Sequence, residues 1–134
     1  MIYDASQDPR YVDYVCKLTG TESFGECRTI AFLDDDLLAV VLYSGKDEMN
    51  IMMAIASSTP KWCTRWSLKV AFGFPFIQLG LNRITTYVRA GNAPAIRLNE
   101  GLGFSRVGEL ENYYESGESA MIYGMTKDKC RWLK

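Results

Sequence analysis

Residues 50 to 89 read NIMMAIASSTPKWCTRWSLKVAFGFPFIQLGLNRITTYVR. The run 50–56, apolar after Asn50, is of strand length, and 83–89 is a second strand-like run. Between them Leu68, Ala71, Phe72, Phe76 and Leu79 fall on one stripe, which predicts a helix over 65–79. Gly73 and Pro75 sit inside that helix, so it should kink or shorten. Strand, helix, strand is a βαβ unit, and its two strands should run parallel. A ligand is expected at the carboxyl end of such strands, by the loop that begins the helix. That places residues 57–66 at the site.

Working outward, Asp8-Pro9 predicts a helix start with proline at the first helical position, and Gly20 its stop. Tyr11, Val12, Val15, Cys16 and Leu18 recur at helical spacing between them. Runs 28–33 and 37–43 flank Asp34-Asp35-Asp36 and predict a hairpin. The three carboxylates read as a solvated turn, since no calcium-loop pattern surrounds them. Asn92 predicts an N-cap and Gly101 and Gly103 predict stops, giving a short helix over 93–100. Runs 104–110 and 120–126 are two more strands, joined by the polar segment 111–119. The fold class is therefore α/β, a mixed sheet with crossover helices and hairpins, in one domain over 1–134.

The chain has 134 residues, 48% hydrophobic and 23% charged, which is globular composition. Its net charge of −1 argues against a nucleic-acid partner. It has no histidine, which excludes Ser-His and Cys-His nucleophiles and any His-ligated metal. Acid–base work is left to carboxylates, Tyr, Cys, Lys or water. Cys16, Cys27, Cys63 and Cys130 form no C-x-x-C pair, so no metal is expected. No signal peptide or apolar span is visible, so a cytoplasmic protein with reduced thiols and no membrane contact is expected; a mature secreted chain is the alternative.

Three segments resemble the GNAT (Gcn5-related N-acetyltransferase) superfamily, in its RimJ/RimL-like branch. The first is Phe76-Ile77-Gln78-Leu79-Gly80-Leu81-Asn82-Arg83-Ile84. The second and most specific runs from Asn92-Ala93-Pro94-Ala95 through Leu98-Asn99-Glu100-Gly101 to Leu102-Gly103-Phe104, followed by Val107-Gly108. The third is Tyr123-Gly124-Met125 with the tail Cys130-Arg131-Trp132-Leu133, similar to small, phage-borne members. They lie in order over roughly residues 50 to 134.

The resemblance implies a twisted central sheet whose parallel strand pair is splayed by a β-bulge, with flanking helices. It implies acetyl-CoA as cosubstrate and an amine acceptor, small molecule or protein, attacking the thioester directly. A homodimer is compatible with it. Ala54, Ile55 and Ala56 would form a backbone rail for the pantetheine arm. Lys61, Trp62, Cys63, Thr64 and Arg65 would form the pyrophosphate loop, with Lys61 and Arg65 supplying charge. Trp62 stands where the family pattern has glycine and Thr64 where it has glycine or alanine. Trp62 therefore remodels the loop, narrows its entrance, or packs against the sheet together with Trp66. Asn92 would cap the following helix and reach the cosubstrate or the substrate carbonyl. Asn99, also counted with the cosubstrate contacts, replaces the tyrosine that many members use as acid. Glu22, Glu26, Tyr113, Tyr114, Ser116 and Ser119 would border the acceptor. Cys63, beside a helix start, would have a lowered thiol pKa, yet an acyl-cysteine is not expected without a histidine. The competing reading is a catalytically inactive binding protein on the same scaffold.

Overall fold

The structure is a computed structural model that describes all residues, 1–134. Seven strands form one sheet in the order β1-β2-β3-β4-β5-β7-β6. They are β1 (Ile2–Asp4), β2 (Cys27–Leu33), β3 (Leu37–Asp47), β4 (Asn50–Ser57), β5 (Arg83–Arg89), β6 (Ser105–Leu110) and β7 (Ala120–Thr126). Every neighbouring pair is antiparallel except β4–β5, which is parallel as the βαβ reading predicts. Strand β1 was not visible in the sequence: three residues carry too little pattern.

Helix α1 (Pro9–Thr19) covers one face of the sheet. Asp8 accepts from the Arg10 N–H as N-cap, and Gly20 takes the left-handed conformation that ends the helix. Tyr11 and Val15 bury against Ala31, Val40, Leu42 and Ala56. Helices α2 (Arg65–Gly73) and α3 (Ala93–Leu102) cover the opposite face, where most of the core lies.

The predicted break in the 65–79 helix is a π-turn over Phe74–Gln78. Pro75 has no N–H to give the Ala71 carbonyl, its ordinary α-helical partner. The buried Tyr43 hydroxyl donates to that carbonyl instead, at 2.5 Å. One lost helical bond is thus replaced from β3, and the aromatic stripe Phe72–Phe76 stays on the core.

Asn92 caps α3, accepting from the Ala95 N–H at 3.2 Å. The helix runs two residues past the predicted end, to Leu102, because the left-handed residue that closes it is Gly103 and not Gly101. The tail ties down its last carbonyls. Trp132 Nε1 donates to Leu102 O at 2.8 Å, and Arg131 donates to Gly101 O while lying over the indole. Trp132 is half-buried under that guanidinium.

At the other edge β1 pairs only with Ala31–Leu33. The next ladder position belongs to a side chain. Gln7 Oε1 accepts from the Thr29 N–H at 2.8 Å, and Gln7 Nε2 donates to Thr29 O at 3.0 Å.

Candidate functional site

The parallel pair is in register only at Asn50–Arg83, Ile51–Ile84 and Met52–Thr85. Beyond that, β4 stays with β3 and β5 stays with β7, so the two strands part. The expected β-bulge is not what parts them. The β3–β4 register is unbroken from Met52 to Ser57, and its one shift lies between Ser44 and Asp47, at the far end. The splay arises because each strand follows its own antiparallel neighbour.

Ladder parity decides which backbone groups face the gap. Ser58 N–H donates to Leu38 O, so the alternate residues Ala56 and Ala54 also bond β3. Ile55 and Ser57 therefore turn their N–H and C=O toward the gap. Arg83 N–H donates to Met49 O, so Tyr87 on β5 faces the gap likewise. No turn or loop hydrogen bond reaches the backbone of Ile55, Ser57 or Tyr87. Of the predicted rail, only Ile55 presents its backbone. Ala54 and Ala56 turn theirs to β3 and put small side chains under α1. Ser57 and Tyr87 were missed, and β-ladder parity is the signal that finds them.

Residues 58–66 stand at the open end of the gap. A 3₁₀ turn, Pro60–Trp62, leads into α2. Trp62 is 1% exposed and packs on Phe32 at 5.6 Å, so it neither contacts solvent nor narrows an entrance; it anchors the loop to the sheet. Trp66 is half-exposed beside Tyr3 and Phe32. Thr64 caps α2 in a reciprocal capping box with Ser67. The loop thereby uses several of its own amides: Lys61 N–H to Thr59 Oγ1, Cys63 N–H to Pro60 O, Thr64 N–H to Ser67 Oγ and Ser67 N–H to Thr64 Oγ1. The Arg65 and Trp66 amides have no such partner, and they point out of the helix start. Lys61 and Arg65 are exposed and paired with no carboxylate. The expectation of a lowered Cys63 pKa is corrected: burial pushes this thiol up.

Asn99 is buried, and its Nδ2 donates to Ala95 O within α3 at 2.9 Å. Asn92 is exposed at the start of that helix. On the α1 side of β5 the segment 111–119 folds over the strand end. Tyr87, Tyr113 and Tyr114 stack edge-on in series, at 5.6 and 5.0 Å. Arg89 lies 3.8 Å over Tyr114 and 3.6 Å from Glu118, whose other oxygen accepts from Gly91 N–H at 2.7 Å. A Cβ at Gly91 would stand 2.7 Å from that carboxylate, so a larger residue there would push the Glu118 side chain aside. Burial raises the Tyr114 hydroxyl pKa, opposed by Arg89, so it stays protonated at neutral pH. Ser116 Oγ accepts from Glu118 N–H, and Ser119 O accepts from Ala90 N–H. These residues are brought together. Glu22 and Glu26 lie exposed in the loop between α1 and β2, with no hydrogen-bond partner. Glu118 is the carboxylate that sequence reasoning missed.

No family model matches the chain, and no curated protein matches it. Solved structures do. A chimera of the spermidine N-acetyltransferase SpeG from Vibrio cholerae and hSSAT aligns over 100% of both chains, at 15% identity and a TM-score of 0.76. SpeG from Vibrio cholerae in complex with manganese ions aligns over 96% of this chain and 93% of its own, at 14% identity and 0.75. The ribosomal-protein-S5-alanine acetyltransferase from Vibrio fischeri aligns over 78% of this chain at 17% identity and 0.67; the match spans 64% of that protein's length. The mixed seven-stranded sheet with its parallel β4–β5 pair is thus the GNAT acetyltransferase fold.

Proposed function

We propose that the chain is an N-acetyltransferase of the RimJ/RimL-like kind, which moves an acetyl group from acetyl-CoA to an amine in the cytoplasm. The observation that carries this reading is the gap itself. Backbone groups of Ile55, Ser57 and Tyr87 stand unpaired between two strands that run parallel and then part. Unpaired backbone at a strand edge accepts a partner that hydrogen-bonds as a strand does. The amide groups of a pantetheine arm are such a partner. The bare Arg65 and Trp66 amides, with Lys61 and Arg65, suit a pyrophosphate at the end of the arm. Asn92 stands exposed at the start of α3, directly after β5, whereas Asn99 is buried and bonded within the helix.

Acetyl-CoA would supply an activated acyl group. In the transfer, an amine nitrogen forms a bond to the thioester carbonyl carbon and the carbon–sulfur bond breaks. The amine gives up one proton and the departing thiolate takes one. The N–H groups of β4 facing the gap would meet the charge that develops on the carbonyl oxygen, an effect worth ~3 kcal/mol per donor elsewhere. Glu118 is engaged by Arg89 and Gly91, and Tyr114 is a protonated donor. Proton removal is therefore assigned to water ordered near Tyr113, Tyr114, Ser116 and Ser119, with positioning supplying most of the acceleration.

One observation favours a second reading, an inactive binder on this scaffold: the loop spends the Cys63, Thr64 and Ser67 amides on itself. Calorimetric titration with acetyl-CoA separates the two. Micromolar binding supports the transferase, and an absence of heat at millimolar ligand supports the binder.

A further inference from the structure

A cavity of about 460 Å³ lies on the flank of α2 turned away from the gap, between that helix, the π-turn and the edge of β2. Its volume falls within the range of small-molecule sites. Ile30, Val70, Phe74 and Ile77 form an apolar wall, and Arg28 and Lys69 stand on it. Neither cation makes an ion pair, and none of the 13 lining residues is Asp or Glu. In a chain of net charge −1 that is a local excess of positive charge beside exposed hydrocarbon. Ile77 is 60% exposed there. The side wall at β2 is rigid, because Gln7 is bonded at both ends of its carboxamide to buried Thr29. At Gly73 an added Cβ would meet nothing within 4 Å, so the floor is open space.

We propose that this cavity binds a small amphipathic carboxylate, an apolar chain or ring with one anionic head. The head sits between Arg28 and Lys69, and the body lies on Ile30, Val70, Phe74 and Ile77. An exposed guanidinium and ammonium without counter-charge select an anion, and the wall selects a ligand that leaves water on one side. The site is independent of acetyl transfer, since it shares no residue with the gap or with residues 57–66.

Decanoate is the probe, with decanol as its uncharged counterpart. Calorimetry should show decanoate binding ~5-fold or more tighter than decanol, the upper worth of one ion pair at an exposed site. The double variant Arg28→Gln/Lys69→Gln should erase that difference. Gly73→Leu should fill the floor and weaken both probes, while circular dichroism shows an intact fold. Saturating coenzyme A should leave decanoate affinity unchanged. The assignment is overturned if neither probe binds, if the two bind equally to the parent protein, or if coenzyme A displaces decanoate. Binding of an acidic-tailed peptide with no binding of decanoate would overturn it too, in favour of a protein partner.

Discussion

On the β4 side of the gap, residues 58–66 hold themselves by a buried indole and their own amides. On the β5 side, residues 111–119 also close on their own amides, Tyr113 and Tyr114 N–H donating to Glu118 O and Gly117 N–H to Tyr114 O, but side chains tie them to the sheet: Arg89 lies between Tyr114 and Glu118, and Tyr113 stands half in solvent. The first wall offers little but main chain and two exposed cations. The second offers aromatic rings, hydroxyls and a carboxylate. A wall of main chain suits a ligand whose structure never varies, whereas a wall of surface side chains can be changed residue by residue without touching the core. Under the proposed transferase reading, the cosubstrate would lie on the first wall and acceptor choice on the second.

The largest test is Trp62→Ala. Removing a 1%-exposed indole from its seat on Phe32 should cost about 3–5 kcal/mol of stability, read by thermal denaturation. A small loss would mean that the loop is not anchored through the core. Next, Arg65→Ala should weaken acetyl-CoA binding by ~1.5–3 kcal/mol with the melting temperature unchanged. An unchanged dissociation constant would remove the loop from the cosubstrate site. Asn92→Ala should cost ~1 kcal/mol of stability through the lost cap, and a larger loss in transfer rate than in stability would add a ligand contact. The smallest overall effect belongs to Tyr113→Ala, whose stability should change by no more than about 0.5 kcal/mol for an exposed ring. Its signature is a raised KM for the amine at constant acetyl-CoA affinity; equal shifts in both would erase the distinction between the walls.

Much of the fold could be read before any coordinates. Strands 50–56 and 83–89, the Asn92 cap and the break at Pro75 rest on strong local rules, and each appears where expected. What escaped reading depends on neighbours. Strand β1 exists only because β2 is there to pair with it. The π-turn needs Tyr43, some thirty residues away in sequence, to replace the donor that Pro75 lacks. At the site, the loop position was legible from the βαβ unit. The division of β4 into residues facing β3 and residues facing the gap was not, because parity is set by register with a partner. Cys63 shows the same lesson in electrostatics: a helix start argued for a lower pKa, but burial, which the sequence does not display, raises it.

The carboxamide of Gln7 has a meaning beyond local structure. A sheet edge with free N–H and C=O groups is a template on which another chain can polymerise. At Thr29 both groups are already occupied, and by a side chain that offers no further backbone to extend. Gln7 reaches that position with a backbone φ of 67°, a left-handed conformation uncommon outside glycine. The ladder is thus terminated chemically where β1 leaves off, and fibrillar growth along this edge has no place to begin at Thr29.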